Sequence, residues 1–442
     1  MSTQPSQQDW QRRSLDAVWH PCTQMARAAV VPPLPIARGE GPWLHDYEGR
    51  RYFDANSSWW VNLFGHSDEG IKDAIKQQLD TLAHVMLAGC THAPAVELAE
   101  KLSALTGGAL GHTFFASDGA SAVEIALKMS FHSWRNRGLD AKREFVCLRH
   151  GYHGETIGAL AVTDVAVFRD AYAPLLMPSH VVDSPDSRQG ADSEARALAA
   201  LRGVLEARRG HVAALIIEPL VQCAAGMVMH EPSYLRAVRA LCDEFEVHLI
   251  ADEIAVGCGR TGTFFAFEQA QAGWPDFITL SKGISGGTLP LSLVLTTEIV
   301  FQSFWSDDVA RGFLHSHSYT GNALACAAAN AVLDRFAHQQ VLEKNREQAR
   351  WLQNAFAPLH SDARVEHLRQ RGMILAFDVR ADLVGERFAE RFHLAAREQA
   401  LLIRPIGRTV YLMPPYLIDE STARFLAHAV TQTLNEVLAH AA

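Results

Sequence analysis

Short apolar runs alternate with longer amphipathic stretches through the middle of the chain. His112–Ala116 (HTFFA), Phe145–Arg149 (FVCLR), Val212–Glu218 (VAALIIE), Val247–Ala251 (VHLIA) and Phe277–Leu280 (FITL) are rich in β-branched and aromatic residues. Each stops at a polar or glycine-bearing turn, the pattern of strands buried on both faces. Ala122–Trp134 and Pro232–Phe245 carry helical stripes, the second with proline near its start. The alternation from about 112 to 282 predicts an α/β fold, with helices covering a mostly parallel sheet. Pro290–Thr296 adds a strand. Earlier, Trp43–Phe53 reads as a hairpin about Asp46–Gly49, and helices are expected over Ile71–His84 and Pro94–Leu105, the latter with Thr91 as a possible N-cap. Residues 1–18 are polar and expected to be loose. From about 335 a smaller α/β unit follows, with strands at Ile374–Val379 and Thr409–Met413 and an amphipathic helix from Ser421 to His440. The expected division is 1–60 as an N-terminal segment serving the small domain and covering the site, 61–334 as the large domain, and 335–442 as the small domain.

Composition narrows the function classes. The 442 residues carry a formal charge of −9, with no block of Lys or Arg, which argues against nucleic acid or an acidic membrane as partner. Seven scattered cysteines, with no CxxC pair, read as thiols of a reducing compartment. No apolar signal segment or membrane span is visible, so a cytoplasmic protein is expected.

Candidate chemistry gathers where strands end. In open α/β sheets ligands sit beyond the carboxyl ends of strands. Asp252 follows VHLIA, and Lys282 follows FITL and Ser281. An acid and an amine delivered to one edge suit a pyridoxal phosphate site, where the lysine bonds the aldehyde and the acid keeps the ring nitrogen protonated. The same spacing also suits a strand-end ion pair and a surface lysine. Ser117–Ser121 (SDGAS), between a strand and a helix, makes an anion site or an ordinary cap by Ser117 or Asp118. His150, His153, His315 and His317 lack a metal-binding spacing, so no metal is expected. Adjacent Trp59 and Trp60 suit core packing, and Cys22 suits a small buried hydrophobe.

DEIAVGCGRTGTFFAFE followed by PDFITLSKGISGG resembles the signature of the class III (subgroup II) aminotransferases, pyridoxal-phosphate enzymes of fold type I. The likeness runs from about Trp19 to Pro415. It implies that Lys282 holds the cofactor and moves protons, that Asp252 faces the ring nitrogen, and that Tyr152 stacks on the ring and faces substrate. Gly119 and Ala120 would bind phosphate, although many relatives have a hydroxyl in place of Ala120. Glu218 would support the cofactor. His317 and Ser318 would reach the cofactor of a partner across a homodimer, with Ser316 lining its pocket.

Substrate-side stretches SSWW (Ser57–Trp60), THAPAVEL (Thr91–Leu98), GYHGET (Gly151–Thr156) and IRPIGRTVYLMPPY (Ile403–Tyr416) are similar to the branch that aminates 8-amino-7-oxononanoate in biotin biosynthesis. There Trp59, Trp60, Tyr152 and Lys282 would line the substrate and Arg404 would pair with its carboxylate, with S-adenosylmethionine or lysine as donor. An ω-amino acid or diamine aminotransferase, a non-catalytic cofactor-binding protein and an aminomutase are the alternatives.

Overall fold

The apolar runs become strands of a seven-stranded sheet in the computed structural model, which describes residues 5–439. Across the sheet the order is His112–Ala116, Ser292–Thr296, Phe277–Leu280, His248–Asp252, Val212–Ile217, Glu144–Leu148 and Ser179–Val182. Neighbours run parallel except at Ser292–Thr296, which is antiparallel to both of its partners. The turn at Lys282–Ser285 lets the chain double back directly, so no helical crossover is needed there. Every residue of the four strands Val212–Ile217, His248–Asp252, Phe277–Leu280 and Ser292–Thr296 is buried. Such strands need cover on both faces, which explains their lack of apolar-polar alternation.

The helix Gly119–Asn136 shows how that cover is made. Ala122, Val123, Ile125, Ala126, Met129 and Trp134 are buried from it into the main core. Trp134 stacks on His248 with ring centroids 4.1 Å apart, and its indole N–H donates to the Ala213 carbonyl at 2.8 Å. Truncating a core tryptophan of this kind costs about 3–5 kcal/mol.

The chain divides into two compact units. The larger holds 69–346 and 371–374; the smaller holds residues up to 68, 347–370 and those from 375. Boundaries had been expected after 60 and 334. The second falls at 346, inside the helix Val341–Phe356, and the helix Ala323–His338 runs through 335 without a break. Residues 371–374 count with the larger unit because Gly372, at φ +55°, lies against the backbone of Arg260 and Thr261. The smaller unit carries a four-stranded sheet, including the expected hairpin Trp43–Asp46 and Arg51–Asp54, and a three-stranded sheet containing Ile374–Val379 and Thr409–Leu412.

Two local expectations are corrected. The N-terminal stretch contains a helix, Gln7–Ala17, where a loose segment was expected. Ser6 and Asp9 form a reciprocal capping box, Trp10 packs on Tyr47, and buried Gln7 accepts from the Tyr47 N–H. The first four residues of that stretch, and His440 of the final helix, lie outside the described residues; that helix spans Glu420–Ala439. Helix Ala93–Leu105 is capped by His92, whose ring accepts from the Ala95 N–H, and not by Thr91. Among the described residues no helix is long and apolar enough to cross a membrane.

Candidate active site

Six strands of the large sheet point their carboxyl ends the same way, and several deliver polar residues there. Asp252 ends the central one and is buried. One carboxylate oxygen accepts from His153 Nδ1 at 2.7 Å. The other accepts from the Ile254 N–H at 3.1 Å and the Thr279 hydroxyl at 3.2 Å. A carboxylate has about four lone-pair sites, so capacity remains for one further donor. His153 Nε2 is buried with no hydrogen-bond partner among the described residues.

Glu218 follows the next strand. Its two oxygens accept from the backbone N–H groups of Tyr152 and Cys223, each at 3.0 Å. Burial pushes its pKa up to about 7, opposed by His153 and those two N–H groups. Lys282 begins the turn after Phe277–Leu280 in the left-handed region, at φ +48°. A non-glycine residue held there stores backbone strain, a common feature of functional sites. Burial pushes its ammonium pKa down, opposed by Asp252, Cys223 and Glu218. Tyr152 is bound at both ends: its N–H by Glu218, and its hydroxyl by donation to Glu155 at 2.8 Å. Its ring meets Phe168 at 5.3 Å. Together these groups suit a flat heteroaromatic ring: a carboxylate for a ring N–H, an aromatic face, and an amine of lowered basicity for a carbonyl.

Gly119 and Ala120 open the helix beside this edge, so their amides precede its hydrogen-bonded ladder. A side chain at Gly119 would press on Ile254 at 3.0 Å, so glycine lets the helix start close against the segment after Asp252. Asp118 is the cap. Its carboxylate accepts from both the N–H and the hydroxyl of Ser121. Ser121 therefore spends its hydroxyl on the cap and does not stand in for the one missing at Ala120. Gly154, at φ +123°, passes so close to Ala120 that a Cβ there would fall 2.5 Å from the alanine methyl.

The segment with Ser316, His317 and Ser318 is strapped elsewhere in the larger unit. His84 Nε2 donates to the Ser318 carbonyl at 2.7 Å, and His92 Nε2 to the Gly321 carbonyl at 2.8 Å. Lys128 Nζ donates to His315 Nδ1 at 2.9 Å. Ser316 and Ser318 are exposed. Within the loop the His317 N–H donates to the Thr320 hydroxyl, which donates back to the His317 carbonyl at 2.8 Å.

Within the smaller unit, Ser57, Ser58, Trp59 and Trp60 have φ of 49°, 47°, 72° and 73°. They make one left-handed helical turn of non-glycine residues, which costs roughly 4–8 kcal/mol at 1–2 kcal/mol each. The surroundings hold it in place. Asp54 accepts from the Ser58 N–H and hydroxyl and bonds His66, and the Ser57 hydroxyl donates to the Met413 carbonyl at 2.7 Å. The turn separates the two tryptophans: Trp60 is buried, with its indole N–H on the Tyr411 hydroxyl, and Trp59 is 51% exposed. Asn56 precedes the turn. Its side chain accepts from the Arg404 N–H at 2.7 Å and donates to the Tyr411 carbonyl at 3.1 Å. Arg404 is thus held by its main chain, while its guanidinium has no hydrogen-bond or ion-pair partner among the described residues.

His153, Glu155, Asn56 and Asp54 escaped the sequence reading as site residues. His153 and Glu155 flank Tyr152 in GYHGET, which was itself a usable signal. Asn56 acts through Tyr411 and Arg404, far along the chain, and left none; Asp54 bonds Ser58 and His66 close by, but an acid at a strand end does not by itself announce that role.

Residues 24–434 match the family model described as aminotransferase class-III. The chain is 42% identical over 429 residues to adenosylmethionine-8-amino-7-oxononanoate aminotransferase of Helicobacter pylori, covering 96% of this chain and 97% of that one. It is similar to the crystal structure of the like-named enzyme from Methanocaldococcus jannaschii, with a TM-score of 0.92, 33% identity and coverage of 97% and 98%. An amine transaminase from an uncultivated Pseudomonas species, in its PLP-bound form, gives a TM-score of 0.89 at 29% identity, with coverage of 95% and 99%.

Proposed function

This chain belongs to the class III aminotransferases, pyridoxal-phosphate enzymes of fold type I, and from that premise we propose that it aminates 8-amino-7-oxononanoate to 7,8-diaminononanoate for biotin synthesis, with S-adenosylmethionine as donor. The observation that carries the acceptor assignment is Arg404. An arginine fixed by its backbone, with an unengaged guanidinium, suits bidentate capture of a carboxylate. Trp59 and Trp60, on the turn joined to it through Asn56, give apolar walls for the intervening chain. Similarity to the two like-named enzymes supports the same reading.

Bound pyridoxal phosphate supplies an aldehyde that captures the amine and a protonated pyridine that accepts the electron pair released at the substrate carbon. Gly119 and Ala120 would hold its phosphate with their amides at the helix start. Asp252 keeps a proton on the ring nitrogen, and His153 fixes that carboxylate through Nδ1. Tyr152 covers the ring face, oriented by Glu218. Lys282 Nζ takes the proton from the substrate carbon and returns it; burial favours the neutral amine that this needs.

Ser316, His317 and Ser318 we assign to the partner's site in a homodimer, Ser318 at the phosphate. Leu314 and Tyr319 in the same loop are largely exposed, as suits a surface covered on assembly. Mixing Lys282→Ala chains with Ser318→Asp chains restores activity only if Ser318 serves the other subunit. We place the reaction in the cytoplasm, where seven free thiols are at home.

The deciding experiment is a single-turnover half-reaction. S-adenosylmethionine, lysine or a simple ω-amine is added separately to the loaded protein while the cofactor's absorption is followed, and 8-amino-7-oxononanoate is then supplied. Diaminononanoate formed after S-adenosylmethionine is the expected result, and formation only after lysine moves the donor. If ω-amines convert the cofactor but the keto acid never restores it, the ω-aminotransferase reading replaces this one.

A further inference from the structure

We infer that Asn56 is a positioning residue that sets the carboxylate anchor Arg404 against the tryptophan turn, and so fixes the length of acceptor the smaller unit accepts. The inference rests on the assignment of the acceptor carboxylate to Arg404. Asn56 is buried and bonds three different residues. Its side-chain oxygen accepts from the Arg404 N–H, and its side-chain nitrogen donates to the Tyr411 carbonyl. Its main-chain oxygen accepts from the Trp60 N–H at 2.8 Å. Trp60 closes the circuit by donating its indole N–H to the Tyr411 hydroxyl.

The side-chain part of this arrangement is specific to an amide. Arg404 presents a donor and Tyr411 an acceptor, so the residue between them must accept on one atom and donate on the other. Aspartate lacks the donor, and leucine of similar size lacks both. The guanidinium of Arg404 gains nothing directly from Asn56; only the starting point of its side chain is fixed. A long flexible side chain anchored at its base loses less freedom when it closes on a ligand, and the position of its head is then defined relative to Trp59 and Trp60. Asn56 therefore acts as the fixed end of a ruler. The apolar wall is at one end and the carboxylate at the other, with the separation set by a residue that bonds the main chain of Trp60 and of Arg404.

The test is equilibrium binding of nonanoate, an unreactive nine-carbon carboxylate, followed by calorimetry and by Trp59 fluorescence. Nonanamide serves as the uncharged counterpart. Asn56→Ala is expected to weaken nonanoate roughly tenfold, to leave nonanamide within about twofold, and to add nothing in an Arg404→Ala background, as coupled residues do. It should also reduce the preference for nonanoate over heptanoate. If Asn56→Ala fails to fold, Asn56→Ser carries the same cycle. Equal losses for nonanoate and nonanamide, or full additivity with Arg404→Ala, would overturn the inference and leave Asn56 as ordinary packing. If Arg404→Ala alone leaves nonanoate binding unchanged, the carboxylate assignment itself falls and takes the ruler with it.

Discussion

The surroundings of Lys282 and of Arg404 are built on opposite plans. Around Lys282 the acidic side chains are buried and spoken for: Asp252 by His153, Thr279 and a backbone N–H, Glu218 by two backbone N–H groups. Around Arg404 the main chain is tied down and the charged head is left without a partner. The first plan fixes where each carboxylate oxygen sits and which donors it meets. The second fixes position and leaves charge available to a ligand. Chemistry on a proton needs the former; capture of an anion that arrives and leaves needs the latter.

This contrast can be broken in order of decreasing effect. Lys282→Ala should leave no detectable turnover by product analysis over hours, because it removes the amine that bonds the aldehyde and moves the proton. Full activity would sink the whole reading of the larger unit. Asp252→Asn removes the charge that holds the ring proton and should lower kcat by about 10²–10³-fold, the range for losing one preorganised electrostatic contact. His153→Phe, which removes only the donor to Asp252, should cost about 10-fold or more in kcat. Arg404→Ala should behave differently: a rise in acceptor KM of about 10–100-fold, from losing a charge-assisted contact worth about 1.5–3 kcal/mol, with kcat nearly kept. Arg404→Lys should recover only part, because the ammonium lacks the planar fork. If Arg404→Ala instead lowers kcat as strongly as Asp252→Asn, the contrast between the two regions collapses.

The smallest effect concerns acid stability. His393 lies beneath the Arg404 strand: its Nδ1–H donates to the Ile403 carbonyl at 2.7 Å, and its Nε2 accepts from Arg397 at 2.8 Å. Burial, then the Arg397 charge, push its pKa from 6.5 down to about 4. The unfolded chain takes up a proton between pH 6.5 and 4 that the folded chain refuses. Stability present above pH 6.5 is therefore lost as pH falls toward 4. His393→Asn keeps a donor for Ile403 and should make the slope shallower by up to about 1.4 kcal/mol per pH unit, read from denaturant unfolding at stepped pH. An unchanged slope would show that acid acts elsewhere first.

The larger unit was nearly readable from its letters because its chemistry follows strand ends. His112–Ala116 and Phe277–Leu280 have the bounds that the apolar runs suggested. Asp252, Lys282 and Glu218 stand where those runs stop. What escaped depended on side chains meeting across long stretches. No local rule places Ser57–Trp60 in a left-handed turn, since propensity disfavours it and only distant carbonyls and Asp54 hold it. The helix Gln7–Ala17 was missed because its apolar content is low and its Ser6–Asp9 box lies before a polar run.

The turn at Ser57 also carries a consequence for how the chain is made. Asn56 and Ser57 bond the main chain at Tyr411 and Met413, 355 and 356 residues further on. A ribosome adding about 5–20 residues per second delivers those carbonyls roughly 20–70 s after the tryptophans. Until then only the nearby Asp54 can hold the left-handed turn, and Trp59 and Trp60 travel as unhoused aromatic groups that a chaperone can hold. The first part of the pocket to be synthesised is therefore the last to take shape, and a nascent chain cut short before Met413 lacks the acceptor that anchors residue 57.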